Sequence, residues 1–190
     1  MGNHVFSLDE ATRRSWYNPE QILQAAGLHS GMVFMDIGSA DGFFAILAAK
    51  MVGEKGKVYA LDINPTTIRT LQSNAQKAGL KNVQAIVGAA EEIVICRECA
   101  DIIFFSMVLH DFQDPAKVLL NAKKMIKPEG LLVNLDWEKQ EDKTAVGPPF
   151  KIRFSEEKAC SLIEAAGFKC LGSKHVGYYH YVLTGKPLEP

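Results

Sequence analysis

From residue 31 onward, short and almost continuously apolar segments alternate with longer segments in which apolar residues recur at helical spacing. Residues 31–37, Gly-Met-Val-Phe-Met-Asp-Ile, are typical of a strand buried on both faces of a parallel sheet. The pattern predicts seven strands, at residues 31–37, 57–63, 83–87, 101–106, 131–136, 169–173 and 178–184. Helices are predicted between them at residues 43–52, 65–78, 115–126 and 155–166, the last capped by Ser155.

This alternation predicts an α/β fold, a single doubly wound, Rossmann-like domain with a mostly parallel sheet of seven strands. Residues 1–30 are expected to form a short helical preface, and residues 31–190 the domain itself. Residues 138–150 are the one loose segment, charged at first and then rich in glycine and proline.

Composition narrows the class of protein. The chain has 190 residues, 47% of them hydrophobic and 23% charged, with a net charge of −1, which argues against disorder and against a wholly basic nucleic-acid binder. No apolar run is long enough to span a membrane, and the first ten residues lack the apolar stretch of a secretory signal. Four cysteines are too few for a disulfide scaffold. We therefore expect a cytoplasmic protein.

The most informative segment is residues 36–43, Asp-Ile-Gly-Ser-Ala-Asp-Gly-Phe, which follows the first strand and opens the first helix. In an open α/β sheet, ligands bind at this edge, where glycines such as Gly38 and Gly42 allow close approach of the backbone. Asp62 ends the second strand, 26 residues after Asp36, and a carboxylate there can accept both hydroxyl hydrogens of a ribose. The segment predicts a cofactor that contains a nucleoside.

The glycine pattern selects among such cofactors. A dinucleotide-binding loop requires G-x-G-x-x-G, but Ala40 and Phe43 occupy its second and third glycine positions. The loop also begins with Asp36, an acid that suits a cation better than a pyrophosphate. S-adenosylmethionine carries a sulfonium and an ammonium group and therefore matches this loop better.

In these residues the chain resembles the class I S-adenosylmethionine-dependent methyltransferases, of the small-molecule type that includes quinone-biosynthesis enzymes, over about residues 20–185. The resemblance implies a sheet whose last strand is antiparallel, and S-adenosylhomocysteine as the product. It implies that Asp62 binds the ribose and that Ile63 packs on the adenine. It further implies that the methionine part lies against the loop residues Asp36, Gly38, Ser39, Ala40 and Gly42.

Two further family segments can be located. After the third strand the family has an acid followed by alanine near the adenine; here the acid is replaced by Ala89, and the backbone at Ala90 is expected to bind the base. After the fourth strand, the segment Ser-Met-Val-Leu-His-Asp, from Ser106 to Asp111, matches the family's Val-Leu-His segment that borders methionine and substrate.

Methyl transfer from a sulfonium is an in-line displacement, so the protein has to position the acceptor, exclude water and in some cases remove a proton. His110 and Asp111 are candidates for the catalytic site, with His110 as a base. The alternative is that His110 only orients its loop. Asp136, at the end of the fifth strand, is a candidate base or ammonium partner, and Trp137 a pocket residue; strand-end packing explains both equally well.

The preface of residues 1–30 often folds over the cofactor in this family, and Trp16 and Tyr17 there would close the pocket; simple helix packing is the alternative. Cys96 and Cys99 form a C-x-x-C, the spacing of a redox site or of half a zinc site. Cys160 and Cys170 do not repeat this spacing, so neither role is favoured and no metal site is predicted.

The sequence thus predicts an enzyme that methylates a small molecule. Gly147-Pro148-Pro149-Phe150 resembles a motif of amino-directed methyltransferases but follows the wrong strand, and no nucleic-acid partner is expected. A non-catalytic S-adenosylmethionine-binding protein and, further from the pattern, a nucleotide-dependent oxidoreductase are the competing interpretations. The acceptor and the oligomeric state are not predicted.

Overall fold

The computed structural model describes residues 9–189 as an alternation of helices and strands. The helices are α1 (Glu10–Trp16), α2 (Pro19–Ala25), α3 (Phe43–Val52), α4 (Pro65–Lys77), α5 (Pro115–Met125) and α6 (Glu156–Ala165). The strands are β1 (Val33–Ile37), β2 (Lys57–Asp62), β3 (Val83–Val87), β4 (Ala100–Ser106), β5 (Ile126–Trp137), β6 (Phe168–Val176) and β7 (His180–Pro187). Short 3-10 turns occupy Leu109–Asp111 and Glu141–Lys143. None of the described helices could cross a bilayer.

The strands form one sheet in the order β3-β2-β1-β4-β5-β7-β6. Strands β1 to β5 pair in parallel, whereas β7 pairs antiparallel with both β5 and β6. The predicted fold class, including the antiparallel last strand, is confirmed. Because β1 lies between β2 and β4, the strand order reverses beside β1, and a ligand crevice is expected at that point.

Local sequence signals set the helix starts. Asn64, Asp114 and Ser155 accept hydrogen bonds from the backbone N–H groups two or three residues ahead, at the starts of α4, α5 and α6. Proline follows the first two of these caps, at a position where its missing N–H costs nothing. The predicted Ser155 cap is therefore confirmed.

Strand β5 begins five residues earlier than the predicted start at residue 131, since it extends from Ile126. Locally, Lys127-Pro128-Glu129-Gly130 is typical of a turn that ends a helix. In the structure Ile126 pairs with Ala100, and the β4–β5 register shifts between Ala100 and Ile102. Such an irregularity tolerates a proline inside a strand, so long-range pairing overrides the local signal.

Alternate residues of the central strands face two hydrophobic layers. Phe34 and Phe104 pack with α3 and α4 on one face of the sheet. Met35 and Phe105, one residue further along the same strands, pack with α5 and α6 on the other. The sheet is therefore covered on both faces, which explains the nearly continuous apolar runs.

The cysteines lie in pairs that the sequence did not predict. Cys96 is bonded to Cys99, with their Cα atoms 6.1 Å apart. Cys160 on α6 is bonded to Cys170 on β6, with their Cα atoms 5.8 Å apart. The second pair forms because α6 packs against β6, a contact that spacing along the chain does not reveal.

The N-terminal helices contact the carboxyl end of the sheet, although the first eight residues of the predicted preface lie outside the described residues. The Trp16 ring lies 5.3 Å from that of Trp137 and 5.6 Å from that of His180. Tyr17 stacks on Phe44 with a centroid distance of 6.2 Å. This aromatic cluster joins α1 to the last residue of β5 and the first residue of β7.

His180 is fully buried inside this cluster, and neither of its ring nitrogens has a hydrogen-bond partner in the structure. Burial, together with the nearby charge of Arg153, lowers the pKa of His180 to about 3. The folded protein therefore keeps this imidazole neutral at pH values where an exposed histidine is charged.

We predict that His180→Phe makes the protein more tolerant of acid. An unfolded histidine binds a proton below about pH 6.5, so the wild type loses free energy of unfolding as the pH falls below that value. The variant lacks this penalty. Its free energy of unfolding relative to wild type should therefore rise by about 2 kcal/mol between about pH 7.5 and pH 5.

Urea unfolding at the two pH values measures this difference. His29→Ala serves as a control, because His29 is exposed. The gap in free energy of unfolding between this variant and wild type should be the same at the two pH values. A gap between His180→Phe and wild type that stays constant with pH would contradict a neutral, buried His180.

Candidate active site

A cleft crosses the carboxyl ends of the parallel strands and consists of two adjoining cavities of about 520 and 590 Å³. We call the first the β3-side cavity; its lining includes Gly88, Ala89, Ala90, Glu91, Phe112 and Lys117. The second is the β5-side cavity; its lining includes Asp36, Ser39, Phe43, His110, Trp137 and Pro148. Both share the residues Gly38, Asp62, Ile63, Val108 and Asp111. The cleft is therefore continuous past the end of β2.

Asp36 is a buried carboxylate beside the β5-side cavity. Its residue is 1% exposed, and its Oδ1 atom has no hydrogen-bond partner in the structure. Burial, with the nearby charge of Asp62, raises the pKa of Asp36 to about 7. The hydroxyl of Ser39, also buried, has no partner either. Such polar atoms are costly to bury alone, so this end of the cleft suits a ligand that carries a cation and hydrogen-bonding groups.

Asp62 holds the loop between β1 and α3 in position. The Ala40 N–H donates to its Oδ2 atom at 2.8 Å, and the Asn64 N–H donates to its Oδ1 atom at 2.8 Å. Ala40 has a φ of 46°, a left-handed conformation that is uncommon for a residue with a side chain. The Asp62 carboxylate therefore stabilises the loop conformation and also faces both cavities.

The two loop glycines are required by packing within the protein. A Cβ atom on Gly38 would lie 2.6 Å from a methyl group of Val108, and one on Gly42 would lie 2.5 Å from Leu71. Both have positive φ angles, 77° and 89°. The sequence analysis attributed these glycines to close approach of a ligand; the structure adds the tight contact with neighbouring side chains as an immediate reason.

An exposed apolar side chain lines both cavities. Ile63 is 70% exposed although it follows a buried strand directly. Across the β3-side cavity, the loop after β3 is held by the buried Asn121, whose Nδ2 donates to the carbonyl oxygens of Ala90 and Glu91 at 3.1 and 2.9 Å. Sequence reasoning missed Asn121, because its position in the middle of α5 carries no local signal. The exposed Ile63 side chain therefore gives the β3-side cavity an apolar side.

His110 and Asp136 form a buried pair at the ends of β4 and β5. The Nδ1 atom of His110 lies 2.8 Å from Oδ1 of Asp136 and the Nε2 atom lies 3.5 Å from Oδ1 of the exposed Asp111. Burial alone would lower the pKa of His110, but the hydrogen bond and charge of Asp136 outweigh it, so the pKa is raised. Burial also raises the pKa of Asp111. The structure thus brings together all three predicted catalytic residues.

Ser106, at the end of β4, lines the β5-side cavity as the sequence analysis expected. The next residue, Met107, has a φ of 54°, and its N–H donates to the carbonyl oxygen of Leu135 at 2.6 Å. This turn directs the chain from β4 across the cleft towards His110.

The far wall of the β5-side cavity is formed by Trp137, Gly147, Pro148, Pro149 and Ile152. Gly147 has a φ of 78°, and a Cβ atom there would lie 2.8 Å from the Trp137 ring. The Gly-Pro-Pro segment therefore packs directly on the indole. Both features were noticed in the sequence, but their contact is long-range and was not predicted.

Comparison with known proteins supports the same site. A family model described as a methyltransferase domain matches residues 28–170. A probable cobalt-precorrin-6B C(15)-methyltransferase (decarboxylating) of Sulfolobus acidocaldarius is 40% identical over 72 residues, 38% of each chain. The ubiquinone/menaquinone biosynthesis C-methyltransferase UbiE of Blochmanniella floridana is 30% identical over 117 residues, 61% of this chain and 46% of that protein. The matches thus span less than half the length of these curated relatives.

Among solved structures, a SAM dependent methyltransferase from Aquifex aeolicus is 33% identical, with a TM-score of 0.88 and 93% of both chains covered. These similarities favour methyl transfer over the nucleotide-dependent oxidoreductase, and they confirm S-adenosylmethionine as the cofactor. The chain belongs to the methyltransferase domain family, within the class I S-adenosylmethionine-dependent methyltransferases.

Proposed function

We propose that the protein transfers the methyl group of S-adenosylmethionine to a small-molecule acceptor by in-line displacement. The observation that carries this proposal is the order of groups along the cleft. Asp36, with its unpaired carboxylate oxygen, lines only the β5-side cavity, Asp62 and Ile63 line both cavities, and Ala89 and Ala90 line only the β3-side cavity. Ammonium, ribose hydroxyls and adenine follow one another in the cofactor in the same order.

In this arrangement Asp36 binds the ammonium group, since a cation offsets the cost of an ionised carboxylate in a buried position. Asp62 accepts hydrogen bonds from the ribose, and Ile63 packs on adenine across from Ala89 and Ala90. The methionine part lies against residues that line the β5-side cavity, namely Gly38, Ser39, Ala40 and Ser106. Gly42 does not line the cavity but allows the loop conformation by its close packing on Leu71. When bound, the cofactor supplies an electrophilic methyl group on its sulfonium.

His110 acts as the general base. Nδ1–H donates a hydrogen bond to the Asp136 carboxylate, which leaves the lone pair of Nε2 available to an acceptor in the β5-side cavity. The acceptor atom loses its proton to Nε2 as it forms the bond to the methyl carbon, while the carbon–sulfur bond breaks. Asp111, exposed and 3.5 Å from Nε2, then passes this proton to water. The acceptor is therefore a molecule whose nucleophilic atom carries an acidic proton.

Residues 9–30, the described part of the preface, serve as a lid over the acceptor. The Arg13 guanidinium lies 3.3 Å from the Asp41 carboxylate and 4.7 Å from the centre of the Phe43 ring. Trp16 packs on Trp137, which itself lines the cavity. These contacts cover the cleft from the side of α1 and exclude water from the reacting groups.

A direct test uses S-adenosylmethionine with a labelled methyl group and a panel of small-molecule hydroxyl, thiol and activated-carbon acceptors. Label that enters a small molecule with wild type, and not with His110→Ala, supports the proposal. Cofactor binding without transfer to any acceptor would favour the non-catalytic S-adenosylmethionine-binding protein. Transfer to nucleic acid would contradict the prediction that no nucleic acid is a partner. A cytoplasmic location and the absence of a metal site stay predictions from the sequence.

We predict that Ile63→Ser weakens binding of S-adenosylhomocysteine without destabilising the protein. Because Ile63 is 70% exposed, its side chain contributes little to the core, and its apolar surface is buried only when adenine binds. Loss of that burial costs about 1 kcal/mol, or roughly a fivefold increase in the dissociation constant. Calorimetric titration measures the affinity.

Leu171→Ser is the matched control, because Leu171 is an apolar residue of β6 that is 49% exposed and remote from the cleft lining. It should leave the affinity unchanged. Equal affinities for the Ile63 and Leu171 variants would refute the adenine assignment.

We predict that activity rises with pH through the raised pKa of His110, because only the neutral imidazole accepts a proton. In Asp136→Asn the charge that raises this pKa is lost while burial remains. The midpoint of the profile should therefore move to lower pH, and kcat should fall roughly 10²- to 10⁴-fold. Profiles of kcat/KM against pH measure both effects; a midpoint that does not move would exclude this pair as the base.

A further inference from the structure

Arg153 is a buried cation that neither the proposed transfer nor the cofactor uses. It is 1% exposed, and it lies just before α6, at the end of the segment that follows β5. Among the described residues its hydrogen bonds go to backbone carbonyl oxygens rather than to a carboxylate. A guanidinium is seldom buried without a carboxylate partner, so this arrangement calls for a reason.

The carbonyl groups that Arg153 binds all belong to one loop, residues 138–149, which we call the acceptor loop. The Nε atom donates to the carbonyl oxygen of Pro148 at 2.9 Å. The Nη1 atom donates to those of Glu138 at 2.9 Å and Lys143 at 3.0 Å. The Nη2 atom donates to that of Val146. One planar group thus draws together four points of the loop, which only an arginine fork can do.

Besides Arg153, the loop is held at its start, where the Glu138 N–H donates to the carbonyl oxygen of Tyr179 at 2.8 Å and the Glu138 carboxylate contacts His175. The loop's only regular structure is the 3-10 turn Glu141–Lys143, and carbonyl groups that turn inwards require donors. The Arg153 guanidinium carbon also lies 5.3 Å from the centre of the Trp137 ring, on which Gly147 packs. Arg153, Trp137 and Gly147 therefore form a stack that ends in the wall of the β5-side cavity.

We propose that Arg153 is a positioning residue that holds the acceptor loop closed and so fixes the acceptor-side wall of the cleft, separately from the cofactor side. The inference rests on the proposed function only for what the wall contacts. The residues assigned to adenine and ribose, Ile63 and Asp62, receive no hydrogen bond from Arg153. Loss of its fork should open the loop and leave the cofactor end of the cleft in place.

The test uses Arg153→Lys, which keeps the charge but loses the planar fork, with Arg69→Lys as a control on the exposed face of α4. The first readout is the rate at which a lysine-specific protease cuts after Lys143, whose side chain is 15% exposed. The second is acrylamide quenching of Trp137 in a Trp16→Phe background, where Trp137 is the only tryptophan. The third is the dissociation constant of S-adenosylhomocysteine.

We expect Arg153→Lys to raise the cutting rate about tenfold or more and to increase quenching, because several charge-assisted hydrogen bonds are lost. The affinity for S-adenosylhomocysteine should change by about twofold or less. The control should change nothing. Unchanged rates of cutting and unchanged quenching in Arg153→Lys would overturn the proposal. An affinity for S-adenosylhomocysteine that falls together with the stability of the variant would also overturn it, because that pattern indicates a general structural role.

Should Arg153→Lys not fold, the wild-type protein decides the question. The Arg153 Nε–H proton should then exchange with solvent far more slowly than that of an exposed arginine such as Arg69, as measured by NMR. Equal exchange rates would overturn the proposal. None of these readouts requires an acceptor, so a failure of the proposed methyl transfer and a failure of this inference are separately detectable.

Discussion

The site depends on the parallel pairing of β1 with β2 and β4, and of β4 with β5. Parallel strands bring their carboxyl ends to the same edge of a sheet, so residues far apart in sequence become neighbours. Asp36, near the end of β1, and Asp62, at the end of β2, come together in this way, as do Ser106 and Asp136 at the ends of β4 and β5. A one-residue slip would turn these side chains to the opposite face of the sheet.

The same edge carries the polar groups that the core tolerates poorly. Among residues 9–189, Asp36 and Asp136 each keep a buried carboxylate oxygen without a hydrogen-bond partner, and both ring nitrogens of His180 also lack one. Each is a cost to folding that a purely structural protein would avoid. At Asp36 and Asp136 the groups line or adjoin the cleft, so the cost accompanies a site prepared for charged or proton-bearing ligands. His180 does not line the cleft, and the groups around it include the aromatic rings of Trp16, Tyr17 and Trp137.

The sequence alone predicted the elements whose signals are local. Helix α3 and strand β3 have the predicted bounds, because Gly42 and Gly53 flank the helix and Gly88 follows the strand. The start of β5 was wrong, because a Lys-Pro-Glu-Gly segment is typical of a turn and only the pairing of Ile126 with Ala100 reveals a strand. Local signals could not have shown that pairing.

The residues of the candidate site likewise fall into those that local sequence signals predicted and those that depend on long-range contacts. The positions of Asp36 and Asp62 follow from strand ends and glycine spacing, and the structure places both beside the cleft. The sequence predicted His110 and Asp136 separately as candidate catalytic residues. Their hydrogen bond was not predicted, because it depends on the β4–β5 register. Asn121 and Arg153 could not be predicted, since each binds backbone carbonyl groups and has no signature in its own segment. The loop that Asn121 binds is distant in sequence, whereas the loop that Arg153 binds directly precedes it.

The most direct test of the central claim is a thermal shift of the dialysed protein with S-adenosylhomocysteine and, in parallel, with NAD. A ligand at about 100 times its dissociation constant stabilises a protein by about 2.7 kcal/mol. For a chain of this size the unfolding midpoint should rise by roughly 5–11 °C. The account predicts this rise with S-adenosylhomocysteine and none with NAD. A rise with NAD alone, or no change with S-adenosylhomocysteine, would contradict the assignment of the cleft.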